Sequence, residues 1–200
     1  MLLLYAVVIG IVVGLVTRGR FSALASVHIR LWPVALIGLA FQAVLFSSPL
    51  AASVGALGPS LYVLSTTLVL MSLVVNLRQP GFWLIALGAF LNFAAIVTNG
   101  GFMPASADAV AAWQGLAALP TTSYTNSALA TGATTLSFLG DIFVLPRPLP
   151  FSNVFSIGDL LIGIGGAWFV IAAMHGRAVA PTAAAAPKST AATTGHPSNA

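Results

Sequence analysis

Residues 154–177 read VFSIGDLLIGIGGAWFVIAAMHGR, and this stretch decides the fold. From Val154 to Met174 it carries one charge, Asp159 near its start, and His175-Gly176-Arg177 closes it. A helix needs about 20 predominantly apolar residues to cross the roughly 30 Å hydrocarbon core of a bilayer, and this run supplies them. A cation just past its end is the mark of a cytoplasmic boundary. Its opening, Ser156-Ile-Gly-Asp159, fits a capping box, with Ser156 as N-cap and Asp159 at the third helical position.

Working outward, the same pattern recurs at about 2–17, 31–46, 61–76 and 82–98. Hydrophobic residues make up 58% of the chain and charged residues 5%, which does not furnish a water-soluble surface. The chain reads as all-α: a polytopic integral membrane helix bundle of about five transmembrane helices. The segment 128–145 is too polar for a span and is expected to form a re-entrant or interfacial helix covered by protein or water. Residues 1–177 make up the transmembrane domain, with 99–153 as its outer segment. Residues 178–200, rich in Ala, Pro, Thr and Ser, read as a disordered cytoplasmic tail.

The charges orient the bundle. Arg18, Arg20, Arg30, Arg78, Arg177 and Lys188 fall on one side of such a five-span arrangement. Asp108, Asp141, Asp159 and Arg147 fall on the other. Cytoplasmic loops hold the excess of Lys and Arg, so the N-terminus is expected outside and the C-terminus in the cytoplasm. The first apolar run lacks a positive segment before it and a small-residue cleavage site after it, so it reads as an uncleaved span. A net charge of +4 does not point to nucleic acid, because the cations stand singly.

Few residues are able to carry chemistry. Ser137-Phe-Leu-Gly-Asp141-Ile and Phe155-Ser-Ile-Gly-Asp159-Leu each place Gly-Asp at a membrane boundary, where a charged acid is expensive. If Asp141 and Asp159 meet, one pKa rises and the pair is able to share a proton and activate water. Asp159 also has a purely structural reading as a helix cap, and Asp108 reads as a solvated loop residue. Asn99-Gly100-Gly101-Phe102-Met103-Pro104 forms a turn after the fourth span. Asn99, Gly100, Gly101, Met103 and Pro104 are candidate substrate-binding residues if the free N–H groups of that turn face a ligand. Gln42 and Asn92, amides inside spans, are expected to bond neighbouring helices.

His28, His175 and His196 stand without a second ligand at useful spacing, and the chain has no Cys, so neither metal nor cofactor is expected. Gly10-Ile-Val-Val-Gly14 allows close helix approach. The expected partners are therefore the lipid bilayer and other membrane proteins docking through Gly10 and Gly14, with no nucleic acid.

Three motifs in order, Thr98-Asn-Gly-Gly-Phe-Met-Pro104, Phe138-Leu-Gly-Asp-Ile142 and Phe155-Ser-Ile-Gly-Asp-Leu-Leu-Ile162, resemble bacterial membrane proteins grouped as domain of unknown function 5317. The likeness covers most of residues 1–175 and leaves out the tail. It implies a shared topology and no established activity. Asn99-Gly-Gly101 and the stretch from Phe155 to Ile162 are also similar to motifs of lipoprotein signal peptidases, which are small membrane aspartic proteases. There the chain departs at Leu139-Gly-Asp141, which has its acid where the peptidases have Asn and lacks the Asp-Arg that follows. Both resemblances imply a bacterial inner membrane.

Three functions follow from these readings. The first is a non-catalytic scaffold or complex subunit. The second is an intramembrane aspartyl hydrolase using Asp141 and Asp159 at the outer face. The third is a small cation or proton transporter.

Overall fold

The structure, a computed structural model, describes residues 2–47, 55–115 and 127–179. Five long helices dominate it: α1 (Leu2–Val16), α2 (Trp32–Ser47), α3 (Gly58–Val74), α4 (Phe82–Thr98) and α6 (Ile157–Met174). Between α4 and α6 lie β1 (Met103–Ala105), the short helix α5 (Ala107–Gln114), β2 (Ser127–Leu129), β3 (Phe143–Val144) and β4 (Val154–Phe155). Helix α6 is long and apolar enough to cross a membrane, whereas α1 to α4 are apolar but shorter.

Small residues set the helix packing. Helix α6 is the hub, packed against both α1 and α4, while α2 packs on α3 and α3 on α4. Gly81 faces the backbone of Gly165, and Gly88 faces that of Gly158. These two crossings lie seven residues apart on each side of an antiparallel helix pair, one at the N-cap of α4 and one within it, so α4 and α6 approach along two glycine steps. A Cβ at any of the four would run into the opposing main chain. Aromatic pairs complete this seam, with Phe82 edge-on to Phe169 at 5.0 Å and Trp83 edge-on to Trp168 at 6.3 Å. On the other side of α6, Gly10 meets Ala167 and Val170, and Gly14 meets Met174. The small-residue face expected to receive other membrane proteins is thus occupied by α6 of the same chain.

Polar side chains inside the apolar helices are partnered across interfaces. Gln42 on α2 donates to the hydroxyls of Ser65 (3.1 Å) and Thr66 (3.2 Å) on α3. Asn76 accepts from the Arg30 backbone N–H at 2.8 Å and donates to the Arg30 carbonyl at 2.7 Å, fastening the start of α2 to the end of α3. Gln79 brackets Val179, donating to its carbonyl at 3.0 Å and accepting from its N–H at 2.9 Å. The expected tail therefore has its first residues fastened to the bundle, and residues 180–200 lie outside the described ones.

The charges sort by end. The Arg20 N–H donates to the Met174 carbonyl at 2.8 Å, His175 reaches the Thr17 carbonyl at 3.1 Å, and Gln79 donates to the His28 carbonyl at 3.0 Å. These contacts gather Arg18, Arg20, Arg30, Arg78 and Arg177 at one end. Asp159, at the start of α6, and Asp141 lie at the other, where Tyr5 near the start of α1 donates to the Pro150 carbonyl.

One expectation is corrected here. Residues 128–145 form no re-entrant or interfacial α-helix; they run through β2, a 3-10 turn at Ser137–Leu139 and β3. Thr131 to Thr135 hold the backbone in side-chain-capped turns, the Thr134 hydroxyl accepting from the Thr131 N–H at 2.8 Å. Strand pairing then satisfies backbone groups that a helix would have satisfied internally: β2 lies parallel to β1, and β3 antiparallel to β4.

Candidate acid cluster at one end of the bundle

Two Gly-Asp steps and one asparagine build the site. Ser156 opens α6 as a complete capping box: its hydroxyl accepts from the Asp159 N–H at 3.0 Å, and the Asp159 carboxylate accepts from the Ser156 N–H at 3.2 Å. Asn92 on α4 reads both partners at once. Its amide nitrogen donates to Asp159 at 2.9 Å, and its amide oxygen accepts from the Ser156 hydroxyl at 2.7 Å. Gly158 is what lets Asn92 come so close, because a Cβ there would occupy the position of the Asn92 amide. Asn92 thus bonds a neighbouring helix, as its place inside an apolar run implies.

Asp141 is held quite differently. Its N–H donates to the Pro104 carbonyl at 2.8 Å, and its own carbonyl accepts from the Ser106 N–H at 2.9 Å. It thereby forms a parallel bridge with Ala105, so β1 is flanked by β2 on one side and by Asp141 on the other. Gly140 is buried against the Pro104 carbonyl, where a side chain would not fit. Pro104 has no N–H to donate, yet its carbonyl is fully used.

The fold brings the two acids together electrostatically. Burial pushes the Asp141 carboxyl up from its ordinary range, and the negative charge of Asp159 pushes it further, to about 7. Tyr62 on α3 lies within the field of both carboxylates. Burial and the charge of Asp159 thus favour the protonated form of Asp141, whereas Asp159 itself is fixed by two donors.

The turn residues take other roles. Asn99 caps α4 and pins the 131–135 turns, its amide donating to the carbonyls of Ala95 (2.8 Å) and Thr135 (2.7 Å) and accepting from the Thr135 N–H at 3.1 Å. Gly100 and Gly101 take left-handed φ of 69° and 89°, as a turn there demands. The Gly101 N–H donates to the Ile96 carbonyl at 2.9 Å, so it is already used as a helix stop. Met103 is buried in a core cluster with Ala95, Ile96 and Leu139. Of the candidate binding residues, Gly100 alone is exposed. Asp108 is exposed in the first turn of α5.

Sequence reasoning passed over two features. Helix α5 is announced by Ser106 as N-cap and by Gly115 in left-handed conformation at its end, a signal present in the letters. Tyr62 carries no such signal, because a lone tyrosine in an apolar helix declares its neighbours only once α3 is packed. Among the described residues no group of three His, Cys, Asp or Glu gathers to hold a metal ion.

The model of a family described as a family of unknown function (DUF5317) matches residues 26–171, which include both acids, Asn92, Ser156 and the Asn99 turn. No curated protein and no solved structure matches the chain.

Proposed function

The chain belongs to this family of unknown function, and we propose that it is a multi-pass protein of the bacterial inner membrane, acting as a non-catalytic scaffold or as a subunit of a larger complex. The observation that carries the reading is the sorting of charge along a bundle whose sides are apolar. Val8, Ile9 and Val12 on α1, Leu36 and Ile37 on α2, Met71 on α3 and Phe90 on α4 all expose large apolar side chains. In water such a surface is an aggregation liability, whereas in lipid it is the solvent-facing side. The shorter helices lie beside α6, and a helix of 15 to 17 residues spans about 22–26 Å, short enough to need local thinning or snorkelling of flanking arginines. The orientation that follows has the N-terminus outside and the C-terminus in the cytoplasm.

A scaffold role draws support from how fully Asp159 is committed to structure. Both oxygens of Asp159 accept hydrogen bonds from Asn92 and Ser156, leaving it placed as a cap and an inter-helix tie. One feature favours a second reading, an intramembrane aspartyl hydrolase: burial, and then the charge of Asp159, raise the Asp141 carboxyl. The transporter alternative requires a polar path from the acids toward Gln42 and Asn92; Asn92 does bond Asp159, as an inter-helix tie. Gln42 is instead committed to Ser65 and Thr66 between α2 and α3, so that alternative gains no support.

The chain contains no Cys, so single-cysteine variants test the topology without background labelling. An impermeant maleimide is expected to label Gly132→Cys in intact spheroplasts and Ser22→Cys only after lysis. The opposite pattern, or recovery of the chain in the soluble fraction, overturns the reading. For the role, native electrophoresis of gently solubilised membranes is expected to find the full chain in an assembly that the Asp141→Asn, Asp159→Asn double variant still joins. Migration of the wild-type chain alone argues against a scaffold.

A further inference from the structure

At the end of the bundle remote from the acids, the C-terminal turns of α1 and α6 enclose an open groove of about 250 Å³. Its walls are Trp168, Ile171 and Ala172, and its mouth is Thr17, His175 and Arg177. It is apolar on the side toward the middle of the bundle and cationic at its rim. The rim is rigidly built. The His175 ring nitrogens lie 2.8 Å from the Ile171 carbonyl and 3.1 Å from the Thr17 carbonyl, and a neutral ring donates to one of the two. The Thr17 hydroxyl turns back onto the Val13 carbonyl at 2.7 Å. The Arg20 N–H donates to the Met174 carbonyl at 2.8 Å, and the Arg177 N–H to the Ala172 carbonyl at 2.9 Å, which fixes both backbones at the groove.

The guanidinium groups are left over. Among the described residues no hydrogen bond or ion pair engages the side chains of Arg18, Arg20 or Arg177. All three acids of the chain lie elsewhere, with Asp141 and Asp159 at the opposite end. Arg177 lines the mouth of the apolar cleft, Arg18 follows the lining residue Thr17, and the Arg20 backbone is bonded to Met174, so cations that the protein itself does not neutralise gather at this end and give it charge complementarity to an amphiphilic anion.

We propose that this groove binds an anionic phospholipid, with one acyl chain along Trp168, Ile171 and Ala172 and the headgroup phosphate at Arg177, flanked by Arg18 and Arg20. Arginine offers the planar donor fork that matches phosphate oxygens. Trp168, packed edge-on against Trp83, places an amphipathic ring on the wall that an acyl chain would line. The groove's volume admits a headgroup and the first part of one chain, so the lipid is held at the rim and not enclosed. This site rests on the membrane reading given above.

The test uses the full-length chain in a zwitterionic detergent, with native mass spectrometry counting retained lipids after addition of phosphatidylglycerol or phosphatidylcholine. Wild type is expected to retain phosphatidylglycerol in preference. Each of Arg18→Gln and Arg177→Gln is expected to cut that preference by about fivefold, the scale of one basic residue at an anionic membrane surface. Arg30→Gln, a cation of the same end outside the groove, is expected to leave it unchanged, and thermal melts confirm that each variant is folded. Equal retention of the two lipids, or equal loss in all three variants, overturns the proposal. Displacement of phosphatidylglycerol by millimolar inorganic phosphate alone overturns it in favour of a free-phosphate site. Membrane fractionation separates the two failures: a chain in the membrane without lipid preference removes this site alone, and a soluble chain removes the membrane reading.

Discussion

Gly140-Asp141 and Gly158-Asp159 share their letters and almost nothing else. The second opens a helix, where its acid caps its own N-terminus and ties α6 to α4 through Asn92. The first stands on an irregular segment, where its backbone is bridged to β1 and its carboxyl is pushed up by burial and by its counterpart. In both, the glycine has the same purpose, since each admits a foreign polar group that a Cβ would exclude: the Pro104 carbonyl at Gly140 and the Asn92 amide at Gly158. The difference teaches that one sequence form serves two ends. Donors anchor a carboxylate at a helix start, and a carboxyl elsewhere is raised when burial brings no compensating donors.

The comparison breaks most readily at the glycines. Gly158→Val drives a branched side chain into Asn92 and the Gly88 main chain and is expected to cost about 4 kcal/mol or to abolish folding. A thermal melt in detergent reads the effect, and a variant within 1 kcal/mol of wild type would show that α4 and α6 do not depend on this contact.

The acids sharpen it next. Well below its ordinary value of 3.8, Asp141 is protonated folded or unfolded and its burial has no ionisation cost. Between its ordinary value of 3.8 and about 7 the unfolded chain releases the proton that the folded chain keeps. Stability therefore falls as pH rises through that window, and the loss is complete above it. Asp141→Asn removes the loss. It is expected to be more stable than wild type at pH 8, by up to about 4 kcal/mol for a shift from 3.8 to about 7, with the difference closing as the pH falls to 3.8 and below. A gap that widens toward acid would mean that Asp141 is held as the charged form.

The smallest effect is at the other acid. Asp159→Asn keeps an acceptor at the helix start and is expected to cost about 1 kcal/mol. It also removes the charge that bears on Asp141, whose titration, followed by carboxyl NMR, is expected to move below 7 while burial still holds it above its ordinary range. An unmoved Asp141 would show the two carboxyls to be independent.

Much of this fold is legible in the letters. The sequence places the helices at about 2–17, 31–46, 61–76, 82–98 and 154–174, within about three residues of α1, α2, α3, α4 and α6 at almost every end. Apolar run length and flanking cations are local quantities, so a single pass along the chain finds them. The capping box at Ser156 and Asp159 is local too. The order of residues 128–145 is not local, because it comes from partners remote in sequence: β2 needs β1, and β3 needs β4. Helix α5 is short and set in loop-like composition, so its caps at Ser106 and Gly115 are the local signal for it.

The sequence by itself determined the apolar character of the chain, its helix boundaries, the polarity of its two ends and the capping role open to Asp159. All of these depend on residues near one another along the chain. Only the tertiary structure decided that Gly10 and Gly14 are spent on α6, that Met103 is core, and that Asp141 and Asp159 share one electrostatic environment with Tyr62. Each of those is a property of pairs brought together by helix packing, and pair distances across a fold are not written in either partner's neighbours.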